Sequence, residues 1–349
     1  MSTRLSNPAK KVKQPRTFAT GGGDATASGV NFQQFVGAAI GVWMLTETPI
    51  DPRLRLGAAK IVALRMETEA PLDDVLASTS DGGFIAIQAK SKLSMSTRME
   101  SEFGKTVEQI VRQWRLSAVG TGDKGWNRCL DTTRDRLVIT VGPDSPATLR
   151  QDLARGLEAR RQNGPPVLTV AEKKALAIFD TCIKAAWAEA SKDALPDHVL
   201  EEIGHLTFVY QIDPAGADRA ALAASLNPAL SNPADAPSAL NLLERVSGDL
   251  MSFRGGHDIA GLRVDLIGRG AKLIARPAYR DDIAALKAYT LQIEQTLRTF
   301  EVVEAETGIF PSNRNHFRRA ECARVGLCRN GDSEGELLVF RNRAAWPWL

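Results

Sequence analysis

The 349-residue chain has little of what marks several common classes of protein. Its four cysteines are few and widely separated, which excludes a disulfide framework. No apolar stretch reaches the roughly 18 to 20 residues that cross a bilayer. The basic N-terminus has no apolar signal region. These features predict a cytoplasmic protein with no membrane partner.

Several catalytic and binding motifs are also missing. The glycines at 21–23 are not followed by the lysine of a phosphate-binding loop. The four histidines have no motif typical of a nucleophilic triad around them. His316, Cys322 and Cys328 lack a fourth partner, so a zinc site is the less favoured interpretation of their spacing.

The overall composition is that of a globular protein, with 44% hydrophobic and 24% charged residues and a net charge of only +3. Local charge is more informative, because the first 20 residues carry five basic side chains and no acidic one. We expect residues 1–24 to form a basic flexible tail. Such a tail either follows a phosphate backbone or is simply solvated.

Hydrophobic periodicity predicts one α/β domain over residues 25–162. Short turn-forming connections join its first three strands, which favours an antiparallel meander. The predicted elements, in chain order, are a helix at 32–45, strands at 60–68, 73–79 and 84–91, a helix at 100–118, a strand at 136–142 and a helix at 146–161.

The pattern changes after residue 162 to a mainly α-helical one, predicted for residues 163–305. One isolated strand is expected at 206–212. The last segment, 306–349, is irregular and rich in arginine. The expected helices lie near 170–191, 216–226, 236–252, 258–269 and 280–300.

The most informative polar residues lie in the meander. Asp73 and Asp74 open its second strand, and Gln88 and Lys90 close its third strand. A hairpin turn over 80–83 pairs positions whose numbers add to about 162 to 164. That register places Asp74 opposite residues 88–90, and the two-residue period of a strand puts Gln88 and Lys90 on one face.

A carboxylate, an amide and an ammonium group at one strand end suit phosphodiester hydrolysis. Mg²⁺ or Mn²⁺ takes oxygen ligands such as Asp74 and Gln88, and a nearby Lys90 orients water or neutralises developing charge. The plainer interpretation is that an acid at a turn caps the chain. The third strand is apolar on both faces until Gln88, which favours the functional interpretation.

The order of elements, with Asp74-Val75-Leu76 followed by Gln88-x-Lys90, resembles the PD-(D/E)XK superfamily and its restriction-endonuclease-like core. More narrowly, it is similar to the double-stranded DNA endonuclease domain of bacterial antiphage defence effectors. These include effectors of cyclic-oligonucleotide signalling and the N-terminal nucleases of STAND-type ATPases. The segments 29–33 and 111–115 add to the likeness, which covers about 25–162.

The resemblance implies a role for each matching residue. Asp74 corresponds to the metal-binding acid, Gln88 to a second ligand that is usually Asp or Glu, and Lys90 to the catalytic lysine. Supporting residues are expected among Gln33, Glu67, Glu69 and Asp73. Contacts to DNA are expected from Lys92, Lys105, Arg112 and Arg115.

The expected function is therefore a metal-dependent double-stranded DNA endonuclease of low specificity, acting in antiphage defence. Cutting both strands requires two sites, which implies a homodimer or larger assembly with 163–305 as the dimerisation or partner-docking region. No ATPase motif is present, so a sensor or ATPase would be a separate chain. Two alternatives stay open: a catalytically inactive nuclease-like scaffold that binds DNA or an ATPase, and an interaction protein with no nucleic-acid partner.

Overall fold

The computed structural model describes residues 22–120, 126–162, 167–275 and two short paired strands, Leu327–Cys328 and Leu338–Val339. Most of the predicted tail, the helix at 280–300 and nearly all of 306–349 lie outside the described residues, as do His316 and Cys322. The first helix begins at Gly22, so the last residues assigned to the tail are helical.

A mixed six-stranded sheet organises the described part of the chain, with strand order β5-β4-β3-β2-β1-β6. Neighbouring strands are antiparallel from β3 to β6, whereas β4 and β5 run parallel to β3. The predicted α/β class is confirmed. The strands are β1 (Ile61–Met66), β2 (Val75–Thr79), β3 (Phe84–Lys90), β4 (Arg136–Val141), β5 (Thr207–Gln211) and β6 (Gly256–Asp258).

Three of the described α-helices begin where a capping side chain satisfies a first backbone N–H group. The Ser101 hydroxyl accepts from Gly104 N–H at the start of the second helix, and Thr169 with Glu172 forms a capping box at the start of the fourth. The α-helices are α1 (Gly22–Thr46), α2 (Glu102–Ala118), α3 (Ala154–Arg161), α4 (Val170–Ala190), α5 (Asp197–Leu206), α6 (Ala217–Ser225), α7 (Ala236–Phe253) and α8 (Ile259–Gly268). A π-helical turn, Thr148–Leu153, leads into α3.

Two hydrophobic clusters cover the two faces of the sheet. Ile85 and Ile87 of β3 lie in the cluster formed with α1, α6, α7 and α8. Phe84 and Ala86 lie in the cluster formed with α2, α3, α4 and α5. Alternate residues of one strand therefore enter opposite cores, which gives a three-layer α/β/α arrangement with β3 buried on both faces.

The strand expected to be isolated is not isolated. Residues Thr207–Gln211 form β5, which pairs in parallel with β4. A hydrogen bond holds β5 to the turn before β1: Tyr210 Oη of β5 donates to Asp51 Oδ2 at 2.9 Å. The three residues of β6, which the sequence pattern does not predict, extend the other edge by pairing with β1.

The sheet and both hydrophobic clusters take residues from either side of position 162. Buried Phe179 of α4 lies in one cluster, and buried Leu243 of α7 lies in the other. Among the described residues, none of the helices combines the length and the apolar composition needed to cross a membrane.

A fragment of residues 22–162 tests whether the predicted nuclease domain folds by itself. We expect no cooperative unfolding transition, because the fragment exposes the apolar surface that α4, α7, β5 and β6 cover. Urea denaturation followed by circular dichroism compares the fragment with the full chain. A cooperative transition of the fragment would show that 25–162 is an autonomous domain.

Candidate active site

The hairpin of β2 and β3 brings Asp74 and Gln88 together as predicted. Val75 pairs with Ile87 and Ala77 with Ile85, which continues to Asp74 opposite Gln88. Gln88 Nε2 donates to Asp74 Oδ2 at 2.7 Å, and the Ala89 N–H donates to the same oxygen at 2.7 Å.

Both side chains of this pair are buried. Asp74 is 4% exposed and Gln88 is 2% exposed. The amide nitrogen of Gln88 must face the carboxylate, since the amide oxygen would be repelled by it. The other amide atom, Gln88 Oε1, is buried and has no hydrogen-bond partner among the described residues, as is also true of Gln113 Oε1 in α2. A buried carbonyl oxygen left in this state is costly for folding.

Opposing influences act on the ionisation of Asp74. Burial raises the pKa of Asp74, whereas the charge of Lys90, the Ala89 N–H and a hydrogen bond with the Gln33 side chain favour the carboxylate. Gln33 lies on α1, so the predicted supporting residue from the first helix does contact the acid. Helix α1 therefore holds the Asp74 carboxylate through the Gln33 side chain.

Lys90 ends β3 and is half-buried. Within the described part of the chain its ammonium group makes no hydrogen bond or ion pair, although its positive charge acts on Glu67, Asp73 and Asp74. A lysine in this state has its hydrogen-bonding capacity available for a substrate.

Two further acids lie beside Asp74. The Glu67 N–H donates to Asp74 O at 3.2 Å, and the Thr68 N–H donates to Asp73 O at 2.9 Å. Burial raises the pKa of Asp73; burial and then the negative charges of Asp74 and Asp73 raise the pKa of Glu67. The remaining predicted acid, Glu69, is exposed.

The predicted DNA-binding cations lie at different places on the surface. Lys92, Lys105 and Arg112 are exposed and Arg115 is half-buried. Arg112 and Arg115 line an open groove of about 600 Å³ between α2 and α4, together with apolar residues and two glutamates. The charge of Arg112 acts on Asp73, which places this side of α2 near the acids.

Sequence reasoning missed one cation of the site, Arg254. Its charge acts on both Glu67 and Asp73. Arg254 follows α7 and precedes β6, and it reaches the site only because β6 pairs with β1. The local sequence does not predict that pairing, since β6 has no run of apolar residues.

A hard divalent cation fits the donors that are present. Asp74 offers a carboxylate and Gln88 an unpartnered buried carbonyl oxygen. Mg²⁺ commonly keeps several water ligands and is held by one or two protein side chains. In residues 22–120, 126–162 and 167–275, no group of three or more His, Cys, Asp or Glu side chains is arranged to hold a metal ion.

Comparison of the chain with models of protein families, with curated proteins and with solved structures finds no match in any of the three. The resemblance to the PD-(D/E)XK superfamily therefore stays a prediction from the motif.

The raised pKa of Asp74 predicts a pH dependence of stability. Between the usual carboxyl pKa and the raised one, the folded state binds more protons than the unfolded state, so stability falls as pH rises through that interval. Asp74→Asn removes this contribution. We expect the variant to lose less stability than the wild type as the pH rises above the usual carboxyl pKa of about 4.

Urea denaturation at a series of pH values measures this difference. Asp144→Asn, at an exposed position, is the control and should follow the wild type. Parallel pH curves for the wild type and Asp74→Asn would contradict the assigned role of Asp74 burial.

Proposed function

We propose that the chain is a metal-dependent endonuclease that cuts double-stranded DNA with low sequence specificity in bacterial antiphage defence. One observation carries the proposal: the buried Asp74–Gln88 pair leaves a carbonyl oxygen without a partner among the described residues, and the charge of Lys90, which makes no hydrogen bond or ion pair there, acts on Asp74. The order α1, β1, β2, β3, α2, β4, with β4 parallel to β3, supports a restriction-endonuclease-like core.

Asp74 and Gln88 would hold Mg²⁺ or Mn²⁺. Such a cation, when bound, polarises the scissile phosphate and lowers the pKa of a bound water molecule. The chain prepares its own ligands for this: the Ala89 N–H and Gln33 orient the Asp74 carboxylate. Gln88 Nε2 is the amide atom that faces Asp74 Oδ2 in the structure, so the Gln88 amide would turn over for its oxygen to share a cation with Asp74.

Lys90 supplies the positive charge of the mechanism. Its ammonium group would donate to the attacking water or to a phosphate oxygen as negative charge develops there. Because Lys90 shares the strand face of Gln88, two residues away, both groups act on the same side of β3. Lys92, Lys105, Arg112 and Arg115 would bind the phosphates on either side.

Cleavage of both strands requires two copies of this site. We accordingly propose a homodimer or larger assembly that acts in the cytoplasm, with residues 163–305 contributing the interface. A separate sensor or ATPase chain would control it.

A second candidate, a catalytically inactive scaffold that binds DNA or a partner ATPase, has its own supporting observation. Asp74 Oδ2 already accepts two hydrogen bonds, and its burial favours the neutral acid, as in a structural polar network. Incubation of supercoiled plasmid with Mg²⁺ or Mn²⁺, against EDTA, separates the two candidates. Only the nuclease nicks or linearises the plasmid, and only with the metal.

Substitution of the site should abolish cleavage without unfolding the protein. We expect Asp74→Asn and Lys90→Ala each to slow plasmid cleavage at least about 100-fold, because the first removes the anionic ligand that would hold the cation and the second removes the positive charge beside the reacting phosphate. Thermal unfolding of each variant checks that the fold is intact.

Lys60→Ala is the matched control for Lys90→Ala. Lys60 is exposed just before β1, at the end of the strands opposite to Lys90. Its loss should leave cleavage unchanged. Undiminished cleavage by Asp74→Asn and Lys90→Ala would exclude the proposed site.

A further inference from the structure

The turn that joins α7 to β6 has an unusual residue at its centre. Arg254 has a left-handed backbone conformation (φ 50°, ψ 44°), and its N–H bonds to carbonyl groups of the last turn of α7. Glycine is the usual residue at this position of a helix end, because a side chain is disfavoured at positive φ. Here two glycines follow the arginine instead of replacing it.

Strand pairing aligns this arginine with the candidate active site. Arg65 of β1 pairs with Gly256 of β6, and the Met66 N–H donates to Gly255 O at 3.0 Å. Arg254, the residue before Gly255, lies at the same end of β1 as Glu67, and its charge acts on Glu67.

A row of residues continues from Glu67 through the site. The Glu67 N–H bonds to Asp74 O, and Asp74 stands opposite Gln88. Glu67, Asp74 and Gln88 therefore form one transverse row at the ends of β1, β2 and β3, and Arg254 lies before β6 at the same end of the sheet. Glu67 and Arg254 both have a positive φ, 47° and 50°, a conformation that L-amino acids disfavour. Strain of this kind is typical of functional sites.

The charge of Arg254 is available to a ligand. The side chain is exposed, and within the described part of the chain its guanidinium makes no ion pair. Its charge acts on Glu67 and Asp73. Lys90 approaches these acids from β3, whereas Arg254 approaches them from β6, so the acids lie between the two cations. The neighbouring Phe253 is 82% exposed, which leaves this turn open to a large partner.

We propose that Arg254 binds a phosphate group of the DNA duplex beside the scissile one, so that the region after residue 162 completes the active site. This inference rests on the proposed function. A planar guanidinium donates two parallel hydrogen bonds to a phosphate group, and that geometry suits a fixed position on a tight turn. An arginine whose only role was to neutralise the charge of Glu67 and Asp73 would not contact DNA.

Arg254→Gly tests the inference, because glycine removes the charge and also relieves the positive φ. Binding of the full chain to a fluorescein-labelled DNA duplex is measured by fluorescence anisotropy in EDTA, over a series of NaCl concentrations. We expect Arg254→Gly to bind about tenfold more weakly and to reduce the salt-dependence slope by about one. Its melting temperature should equal or exceed that of the wild type.

Arg55→Gly is a control for the backbone conformation. Arg55 is also exposed and left-handed (φ 52°, ψ 42°), but its guanidinium forms an ion pair with Glu158, and it lies in the turn before β1, away from the Asp74 end of the sheet. It should bind DNA like the wild type. Arg254→Lys, which keeps the charge, should recover most of the lost affinity.

The outcomes separate the inference from the function on which it rests. If the wild type binds the duplex and Arg254→Gly binds it with the same affinity and the same salt-dependence slope, the inference alone is overturned. Equal weakening by Arg55→Gly would overturn it as well, because the effect would then not be specific to the site. No binding of duplex by the wild type would overturn the proposed function and this inference together.

Discussion

The hydrogen bond from the Gln88 amide to the Asp74 carboxylate is the interaction on which the account of this protein depends. It is buried at the end of a hairpin whose register follows from the alternation of apolar residues into two cores. A slip of one residue would turn Gln88 to the other face of the sheet and separate it from Asp74. The packing of the whole sheet therefore holds this contact in place.

Burial makes the same contact chemically demanding. β3 lies between β2 and β4 and is covered on both faces, so polar groups at its end must be satisfied by the protein or by a ligand. Among the described residues Asp74 Oδ2 accepts two hydrogen bonds, whereas Gln88 Oε1 accepts none. Gln113 Oε1 in α2 is buried in the same state, so what sets Gln88 apart is its contact with Asp74 close to Lys90. We propose a divalent cation with its water ligands as the partner of this oxygen.

The charges around the pair have a consistent arrangement. Glu67, Asp73 and Asp74 all have raised pKa values through burial, and Asp74 and Asp73 repel Glu67 further. Lys90 and Arg254 act on these acids from two sides. Acids with raised pKa values beside cations that make no ion pair in the described residues are typical of functional sites, and we propose that this arrangement binds a metal ion and a phosphate group.

Local signals in the sequence were enough for the hairpin and most helices. The turn at 80–83 and the apolar alternation predicted the register that places Asp74 opposite Gln88, and the 3.6-residue period predicted α2, α4 and α7. These features depend on residues that are close together in the chain.

Pairing between distant segments could not be predicted in this way. The apolar run at 207–211 indicated a strand, but only the folded sheet shows that β4 is its partner. β6 has three residues and no apolar alternation, so neither the strand nor the position of Arg254 beside Glu67 had a signal in the sequence. The part of the site that comes from beyond residue 162 was missed for this reason.

Titration of the full chain with Mn²⁺ in a calorimeter, beside the Gln88→Leu variant, tests the central claim most directly. Leucine is close in size to glutamine but removes the unpartnered oxygen and the bond to Asp74. If Asp74 and Gln88 hold a divalent cation, the wild type binds Mn²⁺ saturably and the variant binds it at least about tenfold more weakly. Absence of Mn²⁺ binding by the wild type, or equal binding by both proteins, would contradict this claim.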